Sequence, residues 1–167
     1  MIILVLGGAR SGKSVVAERQ ASEFAGDGVK VTYVATAVAG GDVDLDSRIA
    51  EHRARRPEWW ATVEASADLA GALRQVEGVA LVDGLGPWLG ALAGRAADTD
   101  ALCAALTERS GDTVVVSDEV GMGVHPSTEA GRRFRDALGL VNQAVAARAD
   151  RVLLVVAGRV LPLEPAV

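Results

Sequence analysis

The segment GGARSGKS, from Gly7 to Ser14, constrains the fold of this chain more than any other feature of its sequence. It fits the pattern G-x-x-x-x-G-K-[ST], follows the apolar run Ile2–Leu6 and opens a helical pattern over Lys13–Phe24. A glycine-rich turn can match this pattern by chance. The strand before the segment and the helix after it favour a phosphate-binding loop instead, because backbone N–H groups and a helix N-terminus there attract anions.

The residue types of this loop have chemical reasons. Gly7 and Gly12 allow the backbone to turn its N–H groups inward, and the Lys13 ammonium can reach the β- and γ-phosphates of a nucleotide. The hydroxyl group of Ser14 can ligate Mg²⁺. We therefore predict that the loop binds a nucleoside triphosphate and that Lys13 is catalytic. The other predicted nucleotide contacts of the loop are Gly8, Ala9, Arg10 and Ser11.

Short apolar runs alternate with longer helical patterns along the rest of the chain. Together with the phosphate-binding loop, this alternation predicts an α/β fold of the P-loop (RecA-like) class, with a mostly parallel sheet covered by helices on both faces. With 167 residues and no long linker, the chain is expected to form one domain over residues 1–167. The predicted strands are Ile2–Leu6, Lys30–Ala35, Val79–Val82, Thr113–Ser117 and Arg151–Val156. The predicted helices are Lys13–Phe24, Leu45–Arg55, Ala67–Val76, Thr99–Arg109 and Arg132–Ala149.

Two of the predicted strands end in acidic residues. Asp83 follows the run VALV, and Asp118 and Glu119 follow VVVS. Carboxylates at the carboxyl ends of parallel strands lie at the edge of the sheet where ligands bind. Asp83 is predicted to hold Mg²⁺, directly or through water, in preference to the alternative of capping the next helix. For Asp118 and Glu119 the two interpretations stay open.

A basic segment stands out against the acidic balance of the chain, which has a net charge of −5. The nine residues RIAEHRARR, from Arg48 to Arg56, hold four arginines and His52, one of only two histidines. In a helix, Arg48, His52 and Arg55 share one face, which Arg56 can extend, and Pro57 ends the helix. Nearby cations would keep the imidazole neutral and nucleophilic near pH 7. Composition alone favours the alternative, a solvated surface helix.

The chain resembles the family of bifunctional adenosylcobinamide kinase / adenosylcobinamide-phosphate guanylyltransferase enzymes of cobalamin biosynthesis. Besides GGARSGKS, the resemblance rests on YVATA at Tyr33–Ala37 and RIAEHRARRPEWWATVE at Arg48–Glu64. It continues with LVDGLGPWL at Leu81–Leu89, SDEVGMGVHP at Ser117–Pro126 and RRFRDALGLVNQAVAARADRVLLVVAG at Arg132–Gly158. The phosphate-binding loop alone is generic, whereas R-x-x-x-H-x-x-x-R-P-x-x-W is far more specific.

The resemblance implies two activities and assigns roles to residues. One activity transfers the γ-phosphate of GTP or ATP to adenosylcobinamide. In the other, His52 attacks the α-phosphate of GTP and carries GMP to adenosylcobinamide phosphate. Further nucleotide contacts are implied for Ala35, Thr36, Arg53, Ala54, Arg55, Arg56, Glu64 and Asp83. Family members often have Asn at the position of Asp118 and Cys at that of Gly84.

Charge and composition exclude several other classes of function. An acidic chain without a second basic stripe is not expected to bind nucleic acid. No apolar run is long enough for a membrane span or a signal peptide, so a cytoplasmic protein is expected. Positive mean hydropathy, +0.25, favours a homo-oligomer, and the resemblance implies a trimer. Two alternatives remain for the function: a single-activity small-molecule kinase, and a RecA-like ATPase module without guanylyl transfer.

Overall fold

The computed structural model describes residues 1–26, 28–37, 50, 53–54 and 56–165. Within these residues, seven strands form one sheet in the order β3-β2-β4-β5-β1-β6-β7, in which every neighbouring pair is parallel except the antiparallel β6 and β7. The strands are β1 (Ile2–Gly7), β2 (Val31–Ala35), β3 (Ala61–Glu64), β4 (Val79–Asp83), β5 (Thr113–Asp118), β6 (Arg151–Val156) and β7 (Arg159–Leu163). The helices are α1 (Lys13–Ala25), α2 (Leu69–Arg74), α3 (Leu85–Ala91), α4 (Thr99–Glu108) and α5 (Glu129–Ala146).

Helices cover both faces of this sheet, as the sequence predicts. On one face, Val16 and Ala21 of α1 pack against Ile3, Val5 and Leu81 of the sheet. The opposite face is covered by α2, α3, α4 and α5, whose buried side chains form a second apolar cluster. Because both faces of the central strands are buried, these strands are continuously apolar rather than alternating.

Both edge strands escape the sequence prediction, because β3 is a short strand of mixed polarity and the apolar run of β7 is interrupted by a proline. All five residues of β7 are exposed, and the strand contains Pro162, which is tolerated at a sheet edge. In β3, three of the four residues are exposed. Helix α3 was also missed, because its sequence LGPWLGA reads as a turn.

Two of the three tryptophans pack inside the protein. Trp60 and Trp88 are buried, and the Trp88 indole N–H donates to the Ala67 carbonyl oxygen at 3.1 Å. Trp59 is 58% exposed and meets the Trp60 ring edge-on. Cys103 is buried, and this burial raises the pKa of its thiol.

Candidate active site

The carboxyl ends of five neighbouring strands bring the predicted site residues to one edge of the sheet. On one side of this edge, Glu64 of β3 pairs with Ala35 of β2, which in turn pairs with Asp83 of β4. On the other side, Asp118 at the end of β5 pairs with Gly7 at the end of β1. Strands that lie far apart in the sequence therefore deliver one row of functional groups.

The phosphate-binding loop leaves β1 through Gly7, where a side chain would force the neighbouring atoms to shift. A Cβ atom at Gly7 would lie 2.7 Å from the Val155 carbonyl oxygen of β6. Gly12 has a φ of 94°, in the left-handed region, immediately before the first residue of α1. Both glycines that the pattern G-x-x-x-x-G-K-[ST] requires are thus explained by local geometry.

The turn of the hairpin between β6 and β7 packs against this loop. Ala157 and Gly158 form its two-residue turn, and both have positive φ, as tight hairpin turns require. The Gly158 N–H donates to the Ser11 carbonyl oxygen at 2.8 Å. A Cβ atom at Gly12 would lie 3.4 Å from the Gly158 Cα atom, so the turn packs directly against the loop.

Lys13 lies between two oxygen atoms of the protein. Its Nζ atom is 2.8 Å from Asp118 Oδ1 and 3.2 Å from the Gly8 carbonyl oxygen. The predicted catalytic lysine thus points back over the loop, where the phosphates of a nucleotide would lie. Of the loop's other predicted contacts, Gly8, Ala9 and Arg10 are exposed, whereas Ser11 is buried and its hydroxyl group accepts the Lys13 N–H at 3.3 Å.

Asp83 is held by a buried tyrosine. The Tyr33 hydroxyl group donates a hydrogen bond to Asp83 Oδ2, and the Tyr33 side chain is only 2% exposed. Burial, followed by the negative charge of Asp83, raises the pKa of the Tyr33 phenol far above its usual range. Tyr33 therefore stays protonated and remains a donor at any pH at which the protein works.

Thr36 links the ends of β2 and β4. Thr36 is buried, with only 1% of its surface exposed. Its hydroxyl group lies 2.8 Å from the Asp83 carbonyl oxygen and 2.7 Å from the Gly84 carbonyl oxygen. Thr36 thus fixes the backbone on which the Asp83 carboxylate stands. Direct contact of Ala35 and Thr36 with a nucleotide stays a prediction.

Two arginines of the basic segment reach the same side of the sheet. The Arg56 guanidinium carbon lies 3.5 Å from the centre of the Tyr33 ring, a cation–π contact, and its Nη1 donates to the Thr62 hydroxyl oxygen at 3.0 Å. Arg53 Nη2 lies 3.6 Å from Glu64 Oε1. Since both of these side chains are largely exposed, the Arg53–Glu64 pair leaves its charges available to a ligand.

The central part of the basic segment lies outside the described residues. This applies to His52, Arg55 and Arg48, and to most of the predicted helix Leu45–Arg55. Ala50, Arg53 and Ala54 are described and are helical, which agrees with that prediction. The nucleophilic role of His52 therefore stays a prediction from the sequence.

The structure adds two features that the sequence analysis missed. One is the Lys13–Asp118 pair, since the role of Asp118 was left open. The other is Tyr33, which was part of a motif but had no role of its own. A signal for Tyr33 was present, because the hydroxyl group of a tyrosine inside a buried strand needs a hydrogen-bond partner.

The donor set at this edge suits Mg²⁺ bound together with a nucleotide. Ser14 lies in the first turn of α1 and supplies a hydroxyl oxygen, and Asp83 supplies a carboxylate fixed by Tyr33. Among the described residues, no three His, Cys, Asp or Glu side chains form a cage for a metal ion. Mg²⁺ at a phosphate site needs no such cage, since phosphates and waters supply its other ligands.

Comparison with known proteins identifies relatives along nearly the whole chain. A family model described as cobinamide kinase / cobinamide phosphate guanyltransferase matches residues 3–163. The bifunctional adenosylcobalamin biosynthesis protein CobP of Pseudomonas aeruginosa is 45% identical over 170 residues, 96% of each chain. The corresponding CobU proteins of Salmonella typhimurium and Escherichia coli are 39% and 37% identical, over 95% of this chain and 97% of theirs.

Solved structures with a similar fold have low sequence identity to this chain. The archaeal flagellar accessory protein FlaH of Methanocaldococcus jannaschii has a TM-score of 0.52 and 14% identity, covering 95% of this chain and 74% of that one. The VirB11 ATPase of the Brucella suis type IV secretion system has a TM-score of 0.51 and 12% identity, covering 92% of this chain and 42% of that one. These likenesses confirm the predicted fold of P-loop ATPases and carry no information on the substrate.

Proposed function

The chain belongs to the cobinamide kinase / cobinamide phosphate guanyltransferase family, and on this basis we propose how its own residues carry out the two reactions. The enzyme acts in adenosylcobalamin biosynthesis as a kinase and a guanylyltransferase. The observation that supports the assignment of residues best is the convergence of Lys13, Asp83 and Asp118 at the end of the sheet that carries the phosphate-binding loop.

In the kinase reaction, the hydroxyl oxygen of adenosylcobinamide attacks the γ-phosphorus of GTP or ATP. The bond from the γ-phosphorus to the β-phosphate oxygen breaks, and the hydroxyl proton is released. The loop N–H groups and the Lys13 ammonium would stabilise the charge that moves onto the phosphate oxygens. Positioning is the main contribution of the protein, since this chemistry needs no covalent intermediate.

In the guanylyl transfer, the His52 imidazole attacks the α-phosphorus of GTP, and pyrophosphate leaves. An oxygen of adenosylcobinamide phosphate then attacks the same phosphorus and releases His52, giving adenosylcobinamide-GDP. A nucleophile on the protein divides one difficult displacement into two easier ones. Arg53, Ala54, Arg55, Arg56 and Glu64 are proposed to line the nucleotide near His52.

Ser14 and Asp83 are proposed to hold Mg²⁺ together with the phosphates of the bound nucleotide. When bound, this ion would neutralise phosphate charge and orient the γ-phosphate. The role of the protein is to present two oxygen donors at fixed positions. Tyr33 contributes by keeping the Asp83 carboxylate in one orientation.

The role of Tyr33 can be tested by removing only its hydroxyl group. In Tyr33→Phe the ring stays beneath Arg56, whereas the hydrogen bond to Asp83 is lost. We expect the Mg²⁺ concentration for half-maximal kinase activity to rise by about three- to tenfold. This corresponds to about 0.6–1.4 kcal/mol, the net contribution of a typical hydrogen bond. Titration of kinase activity with Mg²⁺ measures this, with thermal unfolding as the check on folding. Unchanged Mg²⁺ dependence in the folded variant contradicts the proposal.

We also propose that the protein forms a homo-oligomer. The resemblance to the family implies a trimer. The edge strand β7 exposes Val160, Leu161 and Leu163, next to a cavity of about 790 Å³ between α5 and the β6–β7 hairpin. Apolar edges of this kind are usually covered by another surface. Sedimentation velocity is expected to give a particle mass that is a multiple of the chain mass of 17.2 kDa. The substitution Leu161→Glu should reduce this particle mass. A monomeric unmodified protein would contradict this proposal.

The function as a whole is tested by analysing products. Incubation with adenosylcobinamide and ATP should give adenosylcobinamide phosphate, and further addition of GTP should give adenosylcobinamide-GDP and pyrophosphate. A protein that makes only the first product would be a single-activity kinase.

Since both reactions use nucleoside triphosphates, which cells hold in the cytoplasm, we propose that the enzyme works there. Among the described residues, no helix has the length and apolar character of a membrane span.

A further inference from the structure

The ammonium group of Lys13 forms an ion pair with a carboxylate of the same chain. Its Nζ atom lies 2.8 Å from Asp118 Oδ1, and the two side chains are 16% and 35% exposed. This partial burial makes the contact stronger than a surface ion pair, because solvent screens it less. A triphosphate that uses Lys13 must therefore draw this ammonium away from Asp118 or share it.

Asp118 is held in place by its backbone and its surroundings. Its carbonyl oxygen accepts a hydrogen bond from Asn142 Nδ2 at 3.1 Å, and the Asn142 side-chain oxygen accepts one from the Ser117 hydroxyl group at 2.6 Å. A Cβ atom at Gly86 would lie 2.9 Å from Asp118 Oδ2, so a side chain there would crowd the carboxylate. The position of Asp118 does not depend on its own carboxylate, which leaves that group available to Lys13.

The carboxylate also stands beside the loop itself. Asp118 pairs with Gly7 in the sheet, and the N–H of the next residue, Glu119, donates to the Gly7 carbonyl oxygen at 3.1 Å. A negative charge at this point repels incoming phosphates in addition to neutralising Lys13. Both effects oppose the binding of a triphosphate.

We propose that Asp118 is a positioning residue that competes with the nucleotide for Lys13 and thereby lowers the affinity of the loop for nucleoside triphosphates. This rests on the proposed function, in which Lys13 contacts the β- and γ-phosphates. The contact with Asp118 holds the Lys13 side chain over the loop before a nucleotide binds. It also favours release of the nucleotide after phosphoryl transfer, because the ammonium has a partner to which it can return.

Asp118→Asn tests this by removing the charge while keeping an oxygen that can accept from Lys13. Calorimetric titration with GTP and Mg²⁺ should show binding tighter by about three- to tenfold, the range expected for a partly exposed ion pair. Binding of GMP should change less, because GMP lacks the β- and γ-phosphates that Lys13 is proposed to contact. Asp118→Ser should change GTP binding in the same direction.

Glu119→Gln provides a matched control, because it removes the same charge one residue away. The Glu119 carboxylate accepts the N–H groups of Gly121 and Met122, at 2.8 Å and 3.1 Å. Its substitution should leave the affinity for GTP nearly unchanged. Weaker or unchanged GTP binding in Asp118→Asn would overturn the inference, as would equal tightening in Glu119→Gln. Failure of the unmodified protein to bind GTP would instead refute the proposed function.

Discussion

Lys13→Ala is expected to abolish both activities, with kcat/KM for each reaction reduced by about 100-fold or more. The reason is our proposal that both reactions use a triphosphate bound at the same loop, where the Lys13 ammonium would reach the β- and γ-phosphates. The side chain extends over the loop to Gly8 and Asp118, so its removal leaves the backbone cradle without its cation. Steady-state kinetics of both reactions and GTP binding by calorimetry measure the effect.

Lys30→Ala is the matched control for this experiment. Lys30 is the only other lysine of the chain, and it lies exposed just before β2, at the opposite end of the strands from the loop. Removing it changes the net charge equally, yet both activities should be retained. If Lys13→Ala turned over GTP at an undiminished rate, the phosphate-binding role of GGARSGKS would be wrong.

The central strands could be predicted from the sequence because burial on both faces makes them continuously apolar. β1, β4, β5 and β6 begin and end within one residue of their predicted bounds. The edge strands β3 and β7 are exposed, and they owe their structure to pairing with β2 and β6. β3 has mixed polarity, and the apolar run of β7 contains Pro162. Local composition does not contain that information.

The site was predictable where its chemistry is local and not where it depends on strand order. The loop from Gly7 to Ser14 and the strand-end position of Asp83 follow from short motifs, and the structure places both at the same edge of the sheet. The contact between Lys13 and Asp118 exists because β5 lies beside β1, although about 100 residues separate them in the chain. No local pattern states which strand is the neighbour of β1.

Guanylyl transfer is expected to depend on His52 far more than phosphoryl transfer does. His52→Asn should reduce guanylyl transfer by more than about 1,000-fold, because the nucleophile is lost, while much of the kinase activity remains. His125→Asn is the matched control, since His125 is the only other histidine and its Nδ1 lies 2.9 Å from Arg135 Nη1. Separate assays of the two reactions measure the difference. Equal loss of both activities in a folded His52→Asn protein would indicate a general binding role instead.

The covalent bond predicted between His52 and GMP provides the most direct test of this role. Incubation with GTP and Mg²⁺ should add one guanylyl group per chain, with label from the α-phosphate but not from the γ-phosphate, and release an equal amount of pyrophosphate. Mass spectrometry of the intact protein measures the adduct, which should be absent in His52→Asn and present in His125→Asn. The bond between phosphorus and imidazole should break in acid, because protonation makes the ring a good leaving group, and should survive alkali. Adenosylcobinamide phosphate should then discharge the label into the corrinoid product. Neither a simple kinase nor a RecA-like ATPase forms this bond, so the adduct distinguishes guanylyl transfer from both alternatives. An acid-stable adduct, or label from the γ-phosphate, would exclude the chemistry assigned to His52.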